Sequence, residues 1–166
     1  MQLFGNSLLF VSIFFACGAI AQQSSDEDIV ITSDQAHLDL ATNHVVYTGN
    51  VLIVQGKTNI KANEVTLDQG EQTLSFVATG SPAVVKINKF NKATNSYSPI
   101  DITANKILFK QTDTDFFEFI GHAKVITESN SIESEHVTYD SKSGKILALS
   151  NKNTSEQVRL VIKRKQ

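Results

Sequence analysis

The sequence predicts an all-β fold, an antiparallel β-jelly roll that is open-ended and built from two similar halves. Three observations predict it. Apolar and polar residues alternate after Asp28, a nine-residue phrase occurs four times, and short turn signals separate the apolar runs. No window after residue 21 sustains apolar residues at the spacing of a helix. The chain of 166 residues is long enough to bury one core.

The amino-terminal segment differs from the rest of the chain. "LLFVSIFFACGAIA" is an apolar run without a charged side chain that ends in small residues at Ala21. This composition is typical of a secretory signal. We therefore expect residues 1–21 to be a cleaved signal peptide and residues 22–166 to form a single domain. The alternative is lipidation at Cys17, the only cysteine, but Phe14-Phe15-Ala16 before it is a poor lipidation motif.

The first long strand shows the alternation clearly. In "VVYTGNVLIV", which begins at Val45, every second residue is apolar on either side of Gly49, and "FEFIGHAKV" from Phe117 repeats the phase around Gly121. Alternation of this kind indicates a strand with one buried side. A glycine inside a strand marks a bulge or a tight bend, and Gly80 supplies a third such position.

The recurring phrase indicates where the strands bend. It reads "ITSDQAHLD" from Ile31, "IKANEVTLD" from Ile60, "ITANKILFK" from Ile102 and "IESEHVTYD" from Ile132. In each copy the apolar positions change parity across a polar break, so a straight strand would point half of them outward. The residues at the break are Asp34, Asn63, Asn105 and Glu135.

A corner at each break keeps both apolar sets facing inward, as when a strand passes between two facing sheets. Repetition of this unit leaves a sandwich, a jelly roll or a solenoid. The spacing favours a jelly roll with halves at residues 29–87 and 100–163.

Composition and motifs exclude several function classes. A net charge of −2 argues against nucleic acid as a partner. There is no G-x-S-x-G motif, and Glu133 with Glu135 belongs to the recurring phrase rather than to a glycosidase pair. The histidines lack the spacing of a zinc site; they are His37, His44, His122 and His136. We expect no catalytic residue, no metal and no cofactor.

A family resemblance follows from the order of these elements. The stretch "SDQAHLDLATNHVVYTGNVLIVQGKTNIKANEVTLD", then "GSPA", "FIGHAKV" and "IESEHVTYD", resembles the LptA/OstA-like family of periplasmic proteins that carry lipopolysaccharide between the two membranes of Gram-negative bacteria. The resemblance implies a V-shaped OstA-like jelly roll, copies joined head to tail as a homo-oligomer, and no enzymatic activity. The implied partners are the lipid A moiety of lipopolysaccharide and the OstA-like domains of inner- and outer-membrane export proteins.

Physical chemistry constrains how such a protein holds lipid. Burying ten methylene groups is worth roughly 8 kcal/mol, so a closed pocket for several acyl chains would hardly release them. We therefore expect an open apolar groove that continues from one protomer to the next. The candidate lipid-binding residues are Ile29, Ile31, Val85, Phe109, Phe119 and Val125. The alternative for each of them is an ordinary core position.

The two ends of the mature chain have opposite charge. "DEDIVIT" is acidic before its apolar run, whereas "VRLVIKRK" is apolar before its basic run. Opposite charges favour head-to-tail pairing. The candidate protomer interface is formed by Asp26, Glu27, Asp28, Arg159, Lys163, Arg164 and Lys165.

Other interpretations of the ends stay open. The charged runs are otherwise solvated termini, or the basic run meets lipid phosphates. The alternative function is a membrane-tethered adaptor of the same fold that keeps its apolar leader. A secreted β-solenoid enzyme acting on polysaccharide is a weaker possibility, because the only arginines are Arg159 and Arg164 at the carboxyl end.

Overall fold

A computed structural model describes residues 28–70, 73–91, 95–111, 115–140, 143, 145–151 and 157–163. None of these residues is helical, which confirms the predicted all-β class. Nor does this part of the chain hold a helical segment with the length and hydropathy needed to cross a membrane. The strands are β1 Ile29–Thr32, β2 Gln35–Asp39, β3 His44–Gln55, β4 Thr58–Gln69, β5 Leu74–Asn91, β6 Ser96–Gln111, β7 Asp115–Thr127, β8 Asn130–Asp140, β9 Lys145–Leu149 and β10 Arg159–Ile162.

The described strands form one antiparallel sheet. Its order is β1-β3-β4-β5-β6-β7-β8-β10, with β2 also paired to β3 and β9 also paired to β8. From β3 to β8 each strand therefore pairs with its neighbours in sequence. One edge is formed by β1 and β2 in succession along β3, and the other edge by β9 and β10 in succession along β8.

A line of irregularities crosses the sheet at mid-height; we call it the bend line. The pairing register shifts between Thr48 and Val51, Lys61 and Glu64, Thr79 and Ala83, Thr103 and Lys106, and Ile120 and Ala123. Buried positions change parity there: Ile60 and Ala62 are buried before the shift in β4, and Val65 and Leu67 after it.

The predicted corners at Asn63 and Asn105 lie on this line. The structure corrects one detail of that prediction. The strands do not pass between two separate sheets, because a single sheet bends along the line and forms two continuous layers.

The first layer contains β1 and β10, and the second contains β2 and β9. Buried residues of both layers belong to one hydrophobic cluster, so the two layers share a core. Five of the inward-facing residues that border the bend line are small: Ala62, Ala78, Ala83, Ala104 and Ala123. Larger side chains border it as well, among them Val65, Ile107 and Phe119. Farther from the line the cluster contains larger side chains such as Phe76 and Phe109. Because alanine fills little volume, these five positions allow the two layers to approach each other at the bend.

Two of the bends use the same local structure. Gly49 has φ +75° and packs against Asp34, and Gly121 has φ +79° and packs against Asn105. A positive φ is costly for a residue with a Cβ atom, which explains glycine at both positions. The repeated bend supports the internal repetition that the sequence predicts. The leader, residues 1–21, lies outside the described residues.

Candidate functional site

The interior between the layers is the first candidate site. Three of the predicted lipid-binding residues lie deep in it: Val85 and Phe119 are each 5% exposed, and Phe109 is 2% exposed. The ring centroids of Phe109 and Phe117 are 4.8 Å apart. All three predicted residues belong to the buried core cluster, so a lipid reaches them only if the layers separate. Their contact with lipid stays a prediction.

The other three predicted lipid-binding residues are more accessible. Ile29, Ile31 and Val125 are half-buried and pack against the edge of the core cluster. Ile29 and Ile31 belong to edge strand β1, where Ile31 pairs with the buried Ile53 on the inner face. Ile29 and Ile31 lie between the core and the solvent at the β1 edge of the sheet, whereas Val125 lies on β7, near the opposite edge.

The interior is open at both edges. Leu38 of β2 pairs with Val45, and Leu160 of β10 pairs with Ile132, so both face inward. They are nevertheless 55% and 57% exposed. Inward-facing apolar side chains this exposed show that neither edge strand is covered on its inner face.

Exposed apolar side chains are concentrated at these edges. All but one of the exposed large hydrophobic residues in the described part of the chain lie on the four edge strands or directly beside them, and the exception is Tyr97. They are Val30, Leu38, Leu40, Ile146, Leu147, Leu149, Val158, Leu160 and Ile162. A soluble monomer rarely concentrates apolar surface in this way, so the edges are candidate contact surfaces.

Each edge strand also has one side on which its backbone pairs with no other described strand. Within the described residues β1 and β2 pair only with β3, and β9 and β10 pair only with β8. An unpaired strand edge is a template for a strand from another chain. The sequence predicted the protomer interface at the two ends of the mature chain, which include β1 and β10, but gave no role to β9. Its available signal was "KILAL", an apolar run too short to span both layers.

The predicted interface residues differ in their surroundings. Asp28 precedes β1 and is exposed, and Lys163 follows β10, where its backbone N–H donates to the carbonyl of Ser129 at 2.8 Å. Arg159 has a partner in its own chain, since its Nη1 lies 3.4 Å from Glu133 Oε2. Four further residues lie outside the described part of the chain: Asp26, Glu27, Arg164 and Lys165.

Glu133 links β10 to the sheet. Its Oε1 lies 2.8 Å from Lys124 Nζ on β7, while its Oε2 meets Arg159 on β10. The hydrogen bond from Lys124 is the main cause of a lowered pKa of the Glu133 carboxyl, and Arg159 adds to it. The site is exposed, so its contribution is limited by solvent screening.

Carboxylates accompany two histidines on the outer face of the second layer. His44 contacts Asp68 across β3 and β4, and His136 Nε2 lies 2.6 Å from Glu118 Oε1 across β7 and β8. Among the described residues no group of histidine, cysteine and carboxylate side chains is arranged to hold a metal ion. Glu135, the other half of the candidate glycosidase pair, accepts a hydrogen bond from the backbone of His122 at 3.3 Å.

Comparison with known proteins yields a family and a fold. Residues 30–145 match the family described as LptA/(LptD N-terminal domain) LPS transport protein. The lipopolysaccharide export system protein LptA of Haemophilus influenzae is 27% identical over 158 residues, covering 91% of this chain and 88% of that protein. LptA of Escherichia coli K12 is 30% identical over 131 residues, covering 77% of this chain and 68% of that protein.

A solved structure shares the architecture. LptH of Pseudomonas aeruginosa, described as the LptA-homologous periplasmic component of its conserved lipopolysaccharide transport device, superposes with a TM-score of 0.64 and 25% identity. The superposition covers 83% of this chain and 96% of that chain. It supports the predicted OstA-like jelly roll.

Proposed function

Because the chain belongs to the LptA/LptD amino-terminal family of lipopolysaccharide transport proteins, we propose that it passes lipopolysaccharide along an apolar groove through head-to-tail protomers. It is a periplasmic transport protein that takes part in lipopolysaccharide export. The observation that carries the proposed mechanism is the open edge: inward-facing Leu38 and Leu160 are more than half exposed at opposite ends of one shared core.

An open edge allows transfer between protomers at low cost. Acyl burial is worth about 0.8 kcal/mol per methylene group, so a lipid that left the groove for water would lose most of its binding energy. If the groove of one protomer continues into the next, the lipid exchanges one apolar wall for another. The exposed apolar residues at both edges supply such walls.

The strand directions permit a continuous joint. β1 pairs antiparallel with β3, β10 pairs antiparallel with β8, and the five pairings between β3 and β8 are all antiparallel. β10 therefore runs opposite to β1. A second protomer placed beside the first would add its β1 to β10 as one more antiparallel pair, with first layer against first layer.

Charge supports the same orientation. Asp28 stands before β1 and Lys163 stands after β10, both exposed and at the same end of the first layer. In a head-to-tail joint these opposite charges would approach each other, whereas a head-to-head joint would bring like charges together. Asp26, Glu27, Arg164 and Lys165 extend the two charged runs in the sequence.

The leader decides between a free carrier and a membrane-tethered adaptor. Cleavage after Ala21 would release residues 22–166 as a single periplasmic domain. A retained leader would instead tether the same fold to a membrane. Mass measurement of the protein purified from the periplasm distinguishes the two, because a free carrier begins at Gln22.

Photocrosslinking tests the groove. A photoreactive amino acid is placed at Ile31 or Phe109, and at Leu108 as a matched control whose side chain points to the opposite face of β6. We expect lipopolysaccharide adducts at Ile31 and Phe109 and few at Leu108. Adducts at Ile31 alone would make Phe109 a plain core residue. Equal adducts at Leu108 and Phe109, or none at either Ile31 or Phe109, would contradict the groove.

A further inference from the structure

A polar residue ends the apolar inner face of β4. Val65 and Leu67 are buried on that face, and Gln69 follows two residues later on the same side. Gln69 pairs across the sheet with Leu74, which is 6% exposed and belongs to the core cluster. Gln69 therefore faces inward at the rim of the second layer.

The side-chain oxygen of Gln69 is buried without a partner. Its Oε1 is shielded from solvent and accepts no hydrogen bond from any described residue. The backbone N–H of Gln69 is used elsewhere, since it donates to the carbonyl of Asn43 at 3.2 Å. A buried polar atom that has lost water and gained no partner is destabilising, so such atoms are rare and call for an explanation.

Among the described residues, the interior has further polar side chains only at rim positions and at one residue whose hydroxyl is hydrogen-bonded. The buried polar residues of the described chain are Gln55, Thr58 and Ser134. Ser134 adjoins the bend line and donates its hydroxyl to the carbonyl of Leu149 at 2.7 Å. Gln55 and Thr58 pair with each other at the rim of the first layer.

These positions divide the groove by polarity. Gln69 lies five residues beyond Glu64, which is about 17 Å along the strand from the bend line at roughly 3.3 Å per residue. Gln55 lies four residues beyond Val51, which is about 13 Å. The interior near the bend is apolar, whereas the rims of both layers contribute amide and hydroxyl groups.

We propose that Gln69 hydrogen-bonds a polar group on the acyl chain of the bound lipid, such as a chain hydroxyl or an amide N–H, while the chain itself extends toward the bend. This proposal deepens the transport function and rests on it. It assigns a recognition role to a residue at the rim of the second layer. It also orients the lipid, with its polar attachment points at the rims and its methyl ends at the bend.

Paired fatty acids that differ by one hydroxyl group test the proposal. Calorimetric titrations compare dodecanoic acid with β-hydroxydodecanoic acid on the full mature protein, on Gln69→Met and on the control Gln35→Met. Methionine matches the length of glutamine without its amide. Gln35 is exposed, and its partner Thr48 lies in the outward-facing register.

We expect the wild type and Gln35→Met to prefer the hydroxylated acid by about tenfold, the size of one buried hydrogen bond. Gln69→Met should lose that preference and bind dodecanoic acid at least as tightly. Its unfolding midpoint without ligand should equal or exceed that of the wild type, because the variant no longer buries an unpartnered oxygen. The side-chain amide protons of Gln69 should shift in NMR spectra with the hydroxylated acid only.

The outcomes distinguish a failure of the proposed role of Gln69 from a failure of the lipid groove. If both acids bind but Gln69→Met keeps the full preference for the hydroxylated acid, or the wild type shows none, the role of Gln69 is wrong while the groove stands. A lower unfolding midpoint for Gln69→Met would show that the oxygen has a structural partner, and would also overturn the proposal. If neither acid binds the wild type, the lipid groove itself fails.

Discussion

Replacing the exposed apolar residues of β10 should disrupt assembly without unfolding the protein. The double variant Leu160→Ser with Ile162→Ser removes two side chains that are 57% and 69% exposed. They face inward at the carboxyl-terminal edge, where the proposed joint would cover them. Because most of their surface is already in water, their removal costs the monomer little.

The structure sets the expected magnitude. Burying a leucine or isoleucine side chain completely is worth about 1.5–3 kcal/mol. The exposed share of each side chain therefore contributes about 1–2 kcal/mol when a neighbouring protomer covers it. Together the pair contributes about 2–4 kcal/mol, which raises the dissociation constant of the joint roughly 30-fold to 700-fold.

Sedimentation velocity over a concentration series measures the effect. The wild type should show a mass that increases with concentration, and the double variant should stay monomeric over the same range. Tyr97→Ser is the matched control, since Tyr97 is 50% exposed but lies on β6, away from both edges. If the double variant assembles like the wild type, or Tyr97→Ser disrupts assembly equally, the edge strands do not form the joint.

Two further changes test the bend and the attachment of β10. Gly121→Ala places an alanine at φ +79° with its Cβ atom 2.7 Å from Asn105 Nδ2. Urea unfolding should therefore show that the free energy of unfolding falls by about 1–2 kcal/mol. An unchanged unfolding midpoint would contradict the idea that this bend requires glycine. Lys124→Ala removes the main group that lowers the pKa of Glu133, so an NMR titration should find that pKa closer to its ordinary value. The stability that ionised Glu133 contributes is present above its ordinary pKa and is lost as pH falls through the lowered one. The wild type should therefore keep β10 docked, by hydrogen exchange, at more acidic pH than Lys124→Ala does, and coincident profiles would contradict this linkage.

The bends could be predicted from the alternation of apolar and polar residues, because this pattern involves consecutive residues only. In "IKANEVTLD" the parity change between Ala62 and Val65 is visible without any knowledge of neighbouring strands, and the structure places a register shift there. The number of sheets was not predictable in the same way. A strand that bends within one sheet and a strand that crosses between two sheets have the same apolar pattern.

The sequence could predict which side chains of the candidate site face inward, but not how deeply they are buried. Alternation placed Phe109 and Ile31 on the inner face, and both lie there. Their exposure depends on the separation of the layers and on which strand forms the edge, and both follow from contacts between distant residues. Gln69 was not among the predicted site residues, although its parity with Val65 and Leu67 already placed it on the inner face.

Strands β3 to β8 pair in the order of the sequence, and this order affects how the protein folds and how its edge strands detach. Hairpins between consecutive strands close short loops, so the central part of the sheet can form early from local contacts. Within the described residues, the outermost strands β1, β2, β9 and β10 are four or five residues long and pair along one side only. They should detach and reattach while the centre stays intact, so the proposed head-to-tail joints would open and close without unfolding of the protomers.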